Sequence, residues 1–523
     1  MDLLIKIPML VIFFGIMIGI GLYCRKHATD VGGFVLGGRS VGPWLTAFAY
    51  GTSYFSAVVF VGYAGQFGWK YGIAATWAGI GNAIIGSLMA WAILGRRTRV
   101  MTQHLDSATM PQFFEKRFDS KALKLASSAI IFVFLIPYTA SLYNGLSRLF
   151  GMAFNIDYSV CVIVMAILTA VYVTVGGYMA TAINDFIQGI IMIVGICAVI
   201  FAVLKGQGGF EEALNKLAQV SDPTVSDAPG VFNSFFGPNP GNLLGVVILT
   251  SLGTWGLPQM VQKFYAIKSE KAINKGMIIS TVFALVVAGG CYFLGGFGRL
   301  FGDRVDVAVE GFDAIIPAML SDLSPFLISV VVILVLSASM STLSSLVLTS
   351  SSTLTLDFIK GTLVKKMEEK RQLLVIRGLV VVFVLISVVL AIIQYQSNIT
   401  FIAQLMGISW GVLAGAFLAP FLYGLYWKKA TKAAVWVNFA FSIIVMVANI
   451  FCKSVFPEIL QSPINAGAFC MIMGLVIIPV VSFVTKKPSK EHIQQVFSCY
   501  DHTVVVSVKD SIGDAVQSEE VNL

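Results

Sequence analysis

The residues best suited to bind something lie together in Ser337-Ala-Ser-Met-Ser-Thr-Leu-Ser-Ser-Leu-Val-Leu-Thr-Ser-Ser-Ser352. They sit inside an apolar run, starting near Phe326, that is long enough to cross a bilayer as a helix. Each helical residue turns by about 100°, so Ala338, Ser341, Thr342, Ser345 and Thr349 share one stripe. An oxygen-rich stripe at mid-depth has two readings. Small residues let helices approach closely, with their hydroxyls bonding back to their own turn. Alternatively, hydroxyl and carbonyl oxygens form a cage for a small hard cation. Both readings stand on this stretch alone.

The elements that must position such a stripe are membrane spans. The 523 residues are 57% hydrophobic and only 12% charged, against about 25% charged in soluble domains, with a mean hydropathy of +0.85. Thirteen apolar runs of crossing length can be marked. The first leads straight into Arg25-Lys26 and is expected to be a span, not a cleaved leader. Lysine and arginine crowd alternate loops, among them Arg96 to Lys124, Lys263 to Lys275 and Lys360 to Arg377. The intervening loops hold only Lys70, Lys205, Lys216, Arg299, Arg304 and Lys453. This asymmetry places the N-terminus outside and the C-terminus inside. The net charge of +8 is then a topological signal, and no nucleic-acid partner is expected.

Two spans have compositions unsuited to an unbroken helix. Span 2 (residues 43–67) contains Ala49-Tyr-Gly-Thr-Ser-Tyr-Phe-Ser56, and span 7 (242–262) contains Thr250-Ser-Leu-Gly-Thr-Trp-Gly-Leu-Pro-Gln259. Glycine and hydroxyl residues weaken the helix, and Pro258 removes a backbone donor. Unwound backbone at membrane depth is tolerated only where it lines a cavity or is buried in protein. Spans 2 and 7 hold the same place in two consecutive sets of five, which points to a transporter site at the interface of inverted repeats. The expected architecture is therefore an all-α polytopic membrane protein. It has thirteen transmembrane helices, a five-plus-five inverted-repeat core and broken helices 2 and 7. Residues 1–42 form a peripheral helix and inner loop, 43–205 repeat A, 206–241 an outer loop, and 242–427 repeat B. Residues 428–485 form two peripheral helices and 486–523 a cytoplasmic tail.

The other polar residues within spans are few. Span 3 carries Asn82, and span 4 carries Tyr138, Ser141, Tyr143 and Asn144 after Pro137, where a kink is expected. Span 5 ends in a glycine turn at Gly176-Gly177, and span 6 opens with Asn184-Asp185. Asp185 is the carboxylate placed within the hydrocarbon, a functional candidate by default, with a helix-dipole partner as the plainer account. No lysine or arginine is expected in its range. The seven cysteines show no metal spacing and read as apolar fillers, and the four histidines fall in inward loops or the tail. No enzyme signature occurs in a usable context. Asn398-Ile-Thr400 matches a glycosylation sequon.

With these residues in view, the chain resembles the sodium:solute symporter family, which includes proline, pantothenate, sialic acid and sugar carriers. The specific stretches are Val171-Tyr-Val-Thr-Val-Gly-Gly-Tyr-Met-Ala180 with Asn184-Asp185-Phe-Ile-Gln188-Gly189, and Ser339-Met-Ser-Thr-Leu-Ser-Ser345. A later signature near Trp427-Lys-Lys-Ala-Thr-Lys432 is degraded, its usual glycines giving way to Ala433-Ala434-Val435. The resemblance implies a sodium site made by the carbonyls of Thr52, Phe55 and Ala338 and the side chains of Ser341 and Thr342. It implies a second sodium on Asp185, Ser341, Ser344 and Ser345. Positions resembling a solute lining are Ser53, Tyr54, Ser56, Asn82, Tyr138, Ser141, Trp255 and Gln259. Tyr54 stands where the proline carrier has an aspartate, no arginine occupies the middle of span 4 as in sialic acid carriers, and the sugar carriers' acid near Asn82 is absent.

The expected function is sodium-coupled import of a small organic solute, amino-acid-like or a carboxylate, by alternating access across the cell membrane. Sodium ions are the coupling ions, no organic cofactor is expected, and the unit is expected to work as a monomer in the lipid bilayer. A proton-coupled carrier of the same fold, with Asp185 as proton site, remains an alternative. So does a membrane-embedded solute sensor, against which the short tail counts. A channel is disfavoured, because broken helices around an occluded site suit alternating access.

Overall fold

The computed structural model describes residues 2–500 apart from 54, 155–156, 227, 365 and 398–401. Tyr54, the Asn398 sequon and the tail beyond residue 500 therefore lie outside the described residues. Within them the regular structure is helical. In chain order the principal helices open with α1 (Asp2–Cys24), α2 (Pro43–Thr52) and α3 (Ala64–Tyr71). The long α4 (Lys121–Phe154) and α5 (Tyr158–Gly206) follow. Next come α6 (Pro240–Gly256), α7 (Pro258–Ala266), α8 (Glu270–Gly295) and α9 (Pro325–Thr353). The series closes with α10 (Glu369–Ser397), α11 (Ile402–Tyr426), α12 (Lys432–Phe451) and α13 (Pro463–Val484).

Ten helical stretches among the described residues are long and apolar enough to cross a membrane, or eleven with α6 and α7 taken as one bent span. Two exceed a single crossing: the run from Val58 to His104 has 47 residues and α5 has 49. At 1.5 Å per residue each is about 70 Å long, more than twice the hydrocarbon thickness. Each contains a glycine in a backbone conformation that a side chain rarely adopts. Gly72 has φ +60°, and Gly177, in the expected glycine turn, has φ 58° and ψ −154°. Pro137 lies inside α4, a helix of 34 residues.

Both expected interruptions are present. α2 ends at Thr52, and helical structure resumes after Ser56, first as a π-helix over Val58–Tyr63. A π turn widens the coil, a geometry found often beside functional positions. α6 and α7 meet at Leu257, extended at φ −78° and ψ 123°, and are bent by 45°. Pro258 takes the first position of α7, where its missing N–H costs nothing.

The hydroxyl-rich helix α9 lies at the centre, with every residue from Leu334 to Thr353 buried. It packs against α4, α5 and α10. Away from its middle its hydroxyls bond back to their own turn, Ser351 to Val347 and Ser352 to Leu348. The apolar residues left exposed, such as Leu385 on α10 and Ile444 on α12, face outward, as a lipid-contacting surface requires.

Close backbone approach joins α3 to α8. A Cβ on Gly68 would stand 1.8 Å from the Gly295 carbonyl oxygen, so backbone would have to move. Gly68→Ala should lower the melting temperature of the detergent-purified protein by several degrees, the consequence of about 1–3 kcal/mol of overpacking. Gly378→Ala, inside α10 at a position with nothing within 4 Å, should leave it unchanged or slightly raised, since alanine is the better helix former. Thermal unfolding of both variants checks the contrast.

Candidate functional site

The end of α2 meets the middle of α9. The Ser341 hydroxyl lies 3.2 Å from the Thr52 carbonyl oxygen and 3.0 Å from that of Ala338. The Thr342 hydroxyl lies 3.0 Å from Thr52 O, 3.2 Å from Phe55 O and 3.0 Å from Ala338 O. All five residues are fully buried. The bonds to Ala338 are the ordinary habit of serine and threonine in a helix. The three reaching across to the interrupted segment are not.

Hydrogen counting makes this cluster unusual. Two hydroxyls supply two protons, yet they make five close contacts to three carbonyl oxygens. At most two of these contacts can be strong hydrogen bonds at once. The rest bring oxygen lone pairs close together among fully buried groups with no proton between them. A small cation relieves that surplus, because carbonyl and hydroxyl oxygens are the ligands it prefers. The helix break is what frees the Thr52 and Phe55 carbonyls from their own ladder.

The second expected set is arranged differently. Asp185 is fully buried on α5, eight residues beyond the Gly177 turn, and neither carboxylate oxygen has a hydrogen-bond partner. The expectation that no lysine or arginine reaches it does not hold. Lys263, expected in an inward loop, is buried within α7, its Nζ 3.9 Å from Asp185 Oδ2. The same ammonium donates to Ser345 Oγ at 3.0 Å, and Ser345 Oγ lies 3.0 Å from Ser53 Oγ. Ser344 donates to the Ser341 carbonyl within its own helix. The missed signal was position. Lys263 follows the break at Leu257 by six residues and shares a helix face with Gln259, four residues earlier.

The expected solute residues divide into groups. Asn82 and Trp255 belong to the seam between residues 82–89 and α6. The Asn82 side-chain amide, turned so that its nitrogen donates, lies 3.2 Å from Ser251 Oγ and 3.1 Å from the Thr250 carbonyl oxygen, and the Trp255 indole donates to the Ile85 carbonyl at 2.9 Å. Tyr138 and Ser141 lie on α4, where Ser141 bonds back to Tyr138 O and the Tyr138 ring meets Trp410 of α11 edge-on at 5.9 Å. Ser56 accepts from the Val58 N–H. Ser53 is engaged with Ser345. That leaves both ends of the buried Gln259 amide without hydrogen-bond partners, and the Tyr138 hydroxyl with no close bond but with Ser56 and the Trp410 indole as its polar neighbours. The α6–α7 break adjoins the same α11 face, since Gly253 lies against the Trp410 ring and Gly256 against Ala414 and Leu418. A cavity of about 1120 Å³, lined by Gln66, Asp222, Arg299, Gln404 and Asn465 among others, includes none of the seven described residues expected to line the solute.

Comparison with known proteins bears on this arrangement. Sodium/proline symporters of Staphylococcus aureus, strains JH9 and NCTC 8325 among them, are 31% identical over 499 residues, 92% of this chain and 92% of theirs. A solved Na+-coupled sialic acid symporter, in a substrate-bound outward-open state, superposes with a TM-score of 0.71 at 15% identity. The match covers 92% of this chain and 98% of that one, and it shows a shared fold. The family model for sodium:solute symporters matches residues 34–440. The chain belongs to the sodium:solute symporter family.

Proposed function

We propose that this chain, a sodium-coupled solute symporter by family, imports a small organic solute that is amino-acid-like or a carboxylate. Sodium binds between the broken second span and α9, on the carbonyls of Thr52, Phe55 and Ala338 and the hydroxyls of Ser341 and Thr342. The observation that carries this reading is the excess of oxygen acceptors over protons in that cluster. The curated relatives are named for proline, so proline is the first solute to test. Thirteen crossings, repeats over residues 43–205 and 242–427, and an external N-terminus complete the reading. The matching interruptions and the loop charges support them.

Such a carrier performs no covalent chemistry. Sodium occupancy draws the end of α2 onto α9, and release lets them separate, so the ion biases the two access states through contacts it makes in only one. One sodium falling through ~100 mV releases about 2.3 kcal/mol, and a tenfold gradient adds about 1.4 kcal/mol. Together these support about 500-fold accumulation of a neutral solute.

The solute reading narrows to the groups left unpartnered. The Tyr138 hydroxyl, on a ring that meets Trp410, and the unpartnered Gln259 amide just past the α6–α7 break offer donors and acceptors, a few polar groups in an apolar surround, as small-molecule sites require. Ser53, Ser56, Ser141, Asn82 and Trp255 then shape the site through the helices they tie together.

Labelled proline uptake into proteoliposomes should require sodium and fail in choline. Sodium-independent uptake driven by a proton gradient would favour a proton carrier instead. Ser341→Ala and Thr342→Ala should each raise the sodium concentration for half-maximal uptake about tenfold, the effect of ~1.4 kcal/mol of lost binding. Unchanged sodium dependence in both removes the site. Gln259→Leu should raise the half-saturating proline concentration at least tenfold with little change in sodium dependence. A variant with unaltered proline affinity removes Gln259 from the solute site.

A further inference from the structure

The second cation position is already occupied by a side chain. Asp185 and Lys263 are both buried, and Lys263 reaches Asp185 from α7, across the helix break, rather than from its own helix. Its Nζ stands 3.0 Å from Ser345 Oγ, and both Asp185 and Ser345 belong to the set that the family resemblance assigns to a second sodium. The ammonium also lies over the Tyr178 ring at 5.1 Å, a face that attracts cations. Ser53, on the interrupted segment, completes the chain through its hydroxyl at 3.0 Å from Ser345.

Charge balance decides what this arrangement can hold. A lone buried carboxylate needs a counter-charge, and a sodium ion would supply it. Here an ammonium supplies it covalently. A sodium added to the pair would leave one positive charge uncompensated in the interior, facing an ammonium at ion-pair range. The direct donation to Ser345 also uses a hydroxyl lone pair that a sodium would need.

We propose that the Lys263 ammonium, seated on Ser345 and facing Asp185, takes the place of a second sodium, so that one sodium accompanies each solute molecule. This rests on the sodium site read above at Thr52, Phe55, Ala338, Ser341 and Thr342. Lys263 acts as a tethered cation that stays with the protein through the cycle. It carries no net charge across the membrane by leaving, as a released sodium would.

The test counts sodium ions on the purified full-length protein, using radioactive sodium as the sole probe and no solute. The wild-type chain should bind one sodium, lost in Thr342→Ala and retained in Asp185→Asn. Lys263→Gln should raise the count to two, and Lys263→Gln combined with Asp185→Asn should return it to one. Folding of each variant is checked by a monodisperse size-exclusion profile. If Lys263→Gln does not fold, Lys263→Met, which keeps the length of the side chain and removes its charge, takes its place with the same expected count of two. Two sodium ions on the wild-type chain would overturn the inference while leaving the first site in place. A Lys263→Gln variant that stays at one would overturn it too, because the ammonium would not be what excludes the ion. No sodium binding by the wild-type chain would overturn the sodium-site reading itself.

Discussion

The structure depends on the meeting of an interrupted helix with a hydroxyl-bearing one. Where α2 stops at Thr52, its terminal carbonyls lose their helical partners. Solvent would normally satisfy them, but this end is buried against α9. Ser341 and Thr342 supply only two protons for the oxygens gathered there. The contact is therefore underfilled by its own atoms. A cation-dependent contact between two elements that must later part has the property an ion-coupled carrier requires, since binding energy then differs between its states.

The remainder of the fold can be understood as support for that contact. α9 is enclosed along its inner length, so its stripe cannot rotate away from α2. Close packing of α3 on α8 anchors the far side of the interrupted span, with glycines allowing backbone to approach backbone. The π-helical stretch after the break re-phases the chain, so Val58–Tyr63 is buried all round. A second break, at Leu257, turns α7 by 45° and brings Lys263 into the interior beside Asp185. The two interruptions thus meet through Ser53, Ser345 and Lys263. The oxygen cluster at Ser341 and Thr342 and the buried ion pair are linked through successive turns of one helix.

In the proposed reading, sodium coupling and solute choice rest on different physics. Coupling would use backbone carbonyls and short hydroxyls, which any sequence keeping the break and the stripe can provide. Solute choice would use larger side chains whose polar ends are mostly committed to neighbouring backbone, as Trp255 is to Ile85. Among the expected solute residues, Tyr138 and Gln259 are the ones whose polar ends lack a close partner. Relatives with the same fold and named for proline or sialic acid fit this division: a shared frame with a locally variable lining.

The sequence by itself determined the membrane class, both helix interruptions and the oxygen stripe. These depend on composition and periodicity, which are local: Gly51-Thr52-Ser53 weakens a helix wherever it is packed, and Ser341 and Thr342 share a face in any helix. The glycine turn at Gly177 was legible for the same reason. Tertiary structure alone decided where Lys263 goes. Its charge marked it as a loop residue, and only the 45° bend and the presence of Asp185 opposite made burial tolerable. Tertiary structure also separated Asn82 and Trp255 from Tyr138, since each polar group's partner lies on another helix, distant in sequence. A residue's type limits what it can bond to, but the packing of helices chooses which partner it meets.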